Sequence, residues 1–253
     1  MAAGPGPGPA WRGARAVWRL LRATLHVLHG TAIAVLRFPA MDEAARHARI
    51  RWWSARLLQL MGVEARHDGR PRGGATLVVA NHVSWLDILA LHAHCPQARF
   101  VSKADVRRWP VLGRLVASAG TLFIERERKR DALRVVHELA AALQAGQTVA
   151  VFPEGTTSDG HGVLPFHANL LQAAIAVEAP VQPVALRYRD AAHAVSPAVN
   201  YVGDVSLLRS LWWVACAEGL QVSARWLDAE GTRHADRRRL AERLAQRIGE
   251  GLG

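Results

Sequence analysis

The sequence predicts an α/β domain: a mixed, largely parallel sheet flanked by helices in layers, preceded by an N-terminal amphipathic helical hairpin. Three observations predict it. From Ala75 onward, short β-rich runs alternate with helical stretches, the pattern of strands joined by helical crossovers. Ahead of them, an apolar stripe at helical spacing runs from Trp11 to Val35 beside a stripe of arginines. The 253 residues are 50% hydrophobic, enough for the core of one large α/β domain and too apolar for disorder over the bulk of the chain.

Residues 1–10 are a Pro/Gly/Ala run without periodicity and are expected to be disordered. The first helix is expected over Trp11–Phe38, with Trp11, Ala14, Trp18, Leu21, Leu25, Leu28, Ala32 and Val35 on one face. Arg12, Arg15, Arg19 and Arg22 lie one position over. A basic stripe beside a Trp/Leu stripe suits a helix lying in the lipid headgroup plane, with guanidinium groups reaching phosphates. A helix packed on its own domain would show the same period. Arg22, His26, His29 and Arg37 interrupt the stretch and argue against a membrane span, and no small-residue cleavage site marks a signal peptide. Pro39 stops this helix. A second, about Asp42–Met61, carries Ile50, Trp53, Leu57 and Leu60 on one face and ends at Gly62. Residues 11–62 thus read as a membrane-associating hairpin and 63–253 as the α/β domain.

In that domain, Thr76–Ala80, Arg99–Ser102, Thr121–Ile124, Thr148–Phe152, Val181–Leu186 and Gln221–Trp226 read as strands. Helical stretches lie near Leu86–His94, Val111–Ser118, Asp131–Gln144, Asn169–Val177, Leu207–Ala217 and His234–Ile248. In parallel sheets, chemistry gathers at the carboxyl ends of strands.

Charge narrows the partners. Lys and Arg number 32 against 21 Asp and Glu, a net +11, and only Lys103 and Lys129 are lysines. Twelve of the arginines fall within residues 1–72, against four carboxylates. A polyanion is expected as partner, an anionic membrane surface or a nucleic acid. The second is disfavoured, because the arginines run beside the Trp/Leu stripe and no nucleic-acid motif appears. The two cysteines, Cys95 and Cys216, match no metal or redox spacing, which excludes a disulfide scaffold and makes a reducing compartment the default.

Two strand ends carry chemistry. Asn81-His82-Val83-Ser84-Trp85-Leu86-Asp87 follows the strand Thr76–Ala80. Asp87, in the first turn of a helix, can fold back so that its carboxylate accepts from Nδ1–H of His82, leaving Nε2 free as a base. Ser84 and Asp87 also fit a plain helix cap, which by itself accounts for Asp87. The second segment, Phe152-Pro153-Glu154-Gly155-Thr156-Thr157-Ser158-Asp159-Gly160, offers amides and hydroxyls for an anion and Glu154 to orient a polyol or a cation; alone, it also fits a plain turn. His161 and His167, beside it, read as solvated loop residues.

Together these two segments resemble the glycerolipid acyltransferase family, the lysophosphatidic acid acyltransferases and their relatives. Two further blocks stand in the same order: Gly120-Thr121-Leu122-Phe123-Ile124-Glu125-Arg126, with Glu125 where the family usually has Asp, and Val181-Gln182-Pro183-Val184. The resemblance spans roughly Ala75 to Leu186. It implies acyl transfer from acyl-CoA or acyl carrier protein to the free hydroxyl of a lysolipid, with no cofactor and no metal. By the same analogy His82 is the general base and Asp87 orients it, while Lys103, Arg126, Glu154, Gly155, Thr156 and Thr157 belong to the acceptor site. The implied setting is the cytoplasmic face of the inner membrane.

The acceptor implied first is 1-acyl-sn-glycerol-3-phosphate, giving phosphatidic acid. One departure bears on it: the family usually continues Glu-Gly-Thr with Arg, where this chain has Thr157, and His167 stands where many relatives have Lys. A guanidinium able to clamp a phosphate is missing there. The Thr-Thr-Ser-Asp-Gly version is similar to relatives that acylate lyso-ornithine lipid, the alternative acceptor. No Gly-x-Ser-x-Gly elbow is present, and Cys95, after His94 at a helix end, reads as core, so direct transfer is expected rather than an acyl-enzyme.

Overall fold

The computed structural model describes residues 10–124 and 129–253. Helix α1 spans Ala10–Leu36, and a short 3₁₀ turn, Phe38–Ala40, carries Pro39. Helix α2 spans Glu43–Met61; its N-cap Asp42 accepts from the Ala45 amide at 2.7 Å, and Gly62, at φ +80°, closes it in the left-handed conformation glycine tolerates. Gly30 lets the two helices meet: a Cβ there would lie 2.0 Å from Trp53 Nε1. Trp53 Nε1–H donates to the His26 carbonyl (3.2 Å), and His26 Nε2 is 3.1 Å from the Trp53 carbonyl, so each residue satisfies the other's backbone.

The sheet has seven strands: β1 (Val63–Asp68), β2 (Thr76–Ala80), β3 (Arg99–Lys103), β4 (Leu122–Ile124), β5 (Thr148–Val151), β6 (Val181–Arg189) and β7 (Leu220–Trp226). Their order is β1-β7-β6-β2-β5-β3-β4, and every neighbouring pair is parallel except β6 with β7. The mixed, largely parallel sheet is therefore present. Between the strands come α3 (Leu86–His92), α4 (Leu112–Ser118), α5 (Lys129–Gln144), α6 (Gln172–Ala176) and α7 (Leu207–Cys216), and α8 (Arg237–Gly251) follows β7. Side chains alternate along β2: Val78 and Ala80 join the core beneath α1, α2, α3 and α7, while Leu77 and Val79 join the one beneath α5, α6 and α8. Both faces are covered, which is why all five residues of this strand are buried and the four after Thr76 are all apolar.

Two sequence expectations differ from the fold. Strand β1 is unforeseen: it is an edge strand in which only Val63 is buried, and its charged alternation gives no hydrophobic signal. The arginine stripe of α1 also faces inward. Arg19 donates to the Ala215 and Ala217 carbonyls at 2.9 and 2.8 Å, Arg15 to the Cys216 carbonyl at 3.1 Å, and Arg12 and Arg15 pair with Glu218. Two guanidinium groups, those of Arg15 and Arg19, thus satisfy the carboxyl end of α7, where orphan carbonyls and the helix dipole favour cations, while Arg12 holds Glu218 just beyond it. Arg22 instead lies over the Trp18 ring, 5.7 Å from its centroid. What α1 turns outward is apolar: Trp11, Trp18, Leu21 and Leu25 are all about half exposed.

Candidate active site

Strands β2 and β5 are parallel neighbours with Val79 beside Val151, so the segments that follow them emerge side by side at one edge of the sheet. Asn81 extends β2 with its side chain. Its Nδ2–H donates to the Leu186 carbonyl (2.9 Å) and its Oδ1 accepts from the Leu186 amide (2.7 Å), continuing the ladder to β6 for one more step. This fixes the point at which His82 leaves the sheet.

His82 is held from three directions. Its Nδ1 lies 2.8 Å from Asp87 Oδ2. Its ring stacks on Phe152, with centroids 4.2 Å apart and planes 14° from parallel. Its main chain is clasped by the loop after β5: the amide donates to Glu154 Oε1 at 2.8 Å, and the carbonyl accepts from the Ser158 amide at 2.7 Å. With Nδ1–H directed at a carboxylate, Nε2 carries the lone pair.

Asp87 is fully buried and accepts four hydrogen bonds. Oδ2 takes His82 Nδ1–H, the Val83 amide (2.7 Å) and the Ser84 amide (3.0 Å). The Tyr188 hydroxyl donates to Oδ1 at 2.7 Å. Asp87 thus does two things at once, binding the two amides that lead into α3 and holding the imidazole; the N-cap of α3 is Trp85, without a side-chain cap, rather than Ser84. Tyr188 comes from β6 and is buried. Desolvation and the neighbouring Asp87 charge push its hydroxyl well above the ordinary tyrosine range, so it remains a donor. Sequence reasoning missed Tyr188, because a tyrosine in a strand is indistinguishable from core. Phe152 ends a strand and opens the second motif in the sequence, and nothing in its type marks it as the platform for His82.

Gly155, Thr156 and His82 share a cavity of about 1220 Å³ with apolar side chains of α1, α2, α4 and α7. Gly155 has φ +71°, and a Cβ there would come 2.9 Å from the His167 ring, so glycine is required twice over. His167, read from sequence as a solvated loop residue, also lines this cavity. Two other residues expected in the acceptor site do not line this cavity. Thr157 does not line the cavity; its hydroxyl donates to the Tyr201 carbonyl. Glu154 is 4% exposed and does not line it either: Oε1 accepts from His82 and Oε2 from the Leu164 amide at 3.3 Å. Burial pushes its carboxyl up to about 7, against the lowering effect of those amides. Lys103 ends β3, whose partner β4 continues the sheet to Ile124. Arg126 and Glu125 lie outside the described residues.

Cys95 is fully buried, with burial pushing its thiol up to about 12, the opposite of an activated nucleophile. Among the described residues no cluster of His, Cys, Asp and Glu could hold a metal ion.

A buried carboxylate, an imidazole whose Nδ1 it holds, and a large, mainly apolar cavity thus meet at one edge of the sheet. The Acyltransferase family model matches residues 63–187, from the start of β1 into β6. The chain belongs to this acyltransferase family. It is 38% identical over 215 residues to the lyso-ornithine lipid O-acyltransferase of Pseudomonas aeruginosa, covering 84% of this chain and 81% of that one. To the 1-acyl-sn-glycerol-3-phosphate acyltransferase of Neisseria gonorrhoeae it is 38% identical over 189 residues, 74% of this chain and 73% of that one. The crystal structure of the 1-acyl-sn-glycerophosphate acyltransferase PlsC from Thermotoga maritima has the same fold, with a TM-score of 0.65, 20% identity, and coverage of 92% of this chain and 96% of that one.

Proposed function

We propose that the protein moves a fatty acyl group from the thioester of acyl-CoA or acyl carrier protein to the free hydroxyl of a lysolipid, without a cofactor. The observation that carries this is His82, fixed by Asp87 at a cavity of about 1220 Å³ with mainly apolar walls. That exceeds the ~300–1,000 Å³ of ordinary small-molecule pockets and leaves room for a long acyl chain. Nε2 of His82 takes the proton from the acceptor hydroxyl as its oxygen attacks the thioester carbonyl. The new C–O bond forms, the C–S bond breaks, and the imidazolium returns the proton to the departing thiolate. Asp87 keeps the ring in one tautomer and stabilises its positive charge in the transition state.

The acceptor proposed first is 1-acyl-sn-glycerol-3-phosphate. Lyso-ornithine lipid is the second reading, favoured by Thr157, whose hydroxyl is committed to Tyr201 and which brings no guanidinium to that loop. Purified enzyme presented with each lysolipid and the same acyl-CoA separates them. The first reading expects phosphatidic acid formation to dominate kcat/KM; a preference of tenfold or more for lyso-ornithine lipid replaces it with the second.

Among the described residues no helix is long and apolar enough to cross a membrane. We propose that α1, about 40 Å long at 1.5 Å per residue, lies in the plane of an anionic bilayer on the cytoplasmic face of the inner membrane. Its outward Trp/Leu face supports this. Because the opposite side of α1 walls the cavity, the informative change is outward only. Leu21→Glu with Leu25→Glu is expected to lower sedimentation with anionic liposomes by about 10²-fold or more, from the ~1.5–3 kcal/mol each leucine gains on burial. Unchanged sedimentation would remove α1 as the docking element.

A further inference from the structure

We infer that Glu154 is a positioning residue for His82 and does not contact the acceptor. This rests on the acyl-transfer reading above and changes the part this carboxylate plays in it. The turn that places it is visible in the backbone. The Gly155 amide donates back to the Phe152 carbonyl at 3.1 Å, so the chain reverses across Pro153 and Glu154. Gly155, in its left-handed conformation, and Thr156 then face the cavity, while the Glu154 side chain is folded beneath them.

There both carboxylate oxygens are engaged, Oε1 by the His82 amide and Oε2 by the Leu164 amide. A glutamate reaching for a substrate hydroxyl would have to abandon the His82 amide in a region closed to water, leaving a buried donor unpaired. Glu154 instead bridges three stretches: the end of β2, the turn after β5, and the loop returning through Leu164. The Ser158 amide completes the clasp on the His82 carbonyl, and the His167 amide, bonded to the Pro153 carbonyl at 2.8 Å, holds the turn from its other side. Asp87 fixes the imidazole's tautomer and tilt; Glu154 fixes where its backbone stands relative to the cavity.

A group that sets the position of a base acts on the chemical step, whereas one that grips the acceptor acts on its binding. Steady-state rates with 1-acyl-sn-glycerol-3-phosphate or lyso-ornithine lipid varied, whichever the unaltered chain uses, at saturating acyl-CoA, separate the two. Glu154→Ala is expected to lower kcat by about 10²-fold, the cost of a base displaced by roughly an ångström, with KM for the acceptor unchanged. Glu154→Gln retains an oxygen for the His82 amide and is expected to lose about tenfold or less, again in kcat. Either variant losing more through KM than through kcat overturns the inference, as would unaltered kinetics in Glu154→Ala. Should the alanine variant fail to fold, the same ratio in Glu154→Gln decides. The two readings fail separately: acyl transfer itself is read on the unaltered chain, and the role of Glu154 on the ratio between variants.

Discussion

Replacing His82 with alanine is expected to remove the about 10²–10⁴-fold acceleration that a positioned base supplies, while leaving the chain folded. The ring is partly exposed at the cavity, so little buried surface is lost with it. Asp87 keeps three of its four donors, the Val83 and Ser84 amides and the Tyr188 hydroxyl, and the clasp on the His82 backbone does not involve the ring. Free thiol released from acyl-CoA measures the reaction, and the urea midpoint measures the fold. A variant that turns over at the wild-type rate would eliminate His82 as the base. Cys95, on the same side of the sheet, is held as a thiol by burial and offers no acyl-enzyme route in its place.

The sheet and most of its helices were legible because burial on both faces writes itself into sequence as short, uniformly apolar runs. Strand Thr76–Ala80 was placed to the residue for this reason. Strand β1 was not, because pairing with β7 is a backbone matter and its exposed side chains carry no pattern that demands a sheet. The His82–Asp87 contact was readable from spacing, since five residues across a helix start return a carboxylate to the residue that enters it. Its fourth partner was not: Tyr188 arrives from a strand 101 residues away.

The roles of charged groups were harder still. Arg12, Arg15 and Arg19 lie beside an apolar stripe, which fits a lipid surface as well as a neighbouring helix end. Only the position of α7 shows that Arg15 and Arg19 bind the carbonyls at its end and that Arg12 pairs with Glu218 just beyond it. Glu154 is the same problem in a loop. Its residue type suggests a hand extended to substrate, whereas the four-residue turn from Phe152 to Gly155 directs it to a backbone amide. Sequence reports which groups are available; the fold decides which of them remain free. His167 is the reverse case, a loop residue that the turn at Gly155 brings to the cavity wall.

Asp87 allows its two duties to be separated by substitution. In Asp87→Asn the amide oxygen is expected to occupy the Oδ2 position, because three N–H donors converge there and an NH₂ group would meet all of them. The NH₂ then faces Tyr188, whose hydroxyl oxygen can accept from it. The bonds to the Val83 and Ser84 amides and the tautomer survive, and the urea midpoint should fall little. The negative charge that stabilises the imidazolium is lost, and turnover is expected to drop by about 10²-fold or more, a large part of what the base contributes. Asp87→Ala loses the same charge and also leaves two buried amides and the tyrosine hydroxyl without an acceptor. At about 1–3 kcal/mol for each such group, it should be destabilised by several kcal/mol even where it folds. The informative result is the contrast: similar losses of turnover with very different stabilities. If the asparagine variant instead matched the wild-type rate, the carboxylate would serve only to hold the turn into α3, and the base would need no charged partner.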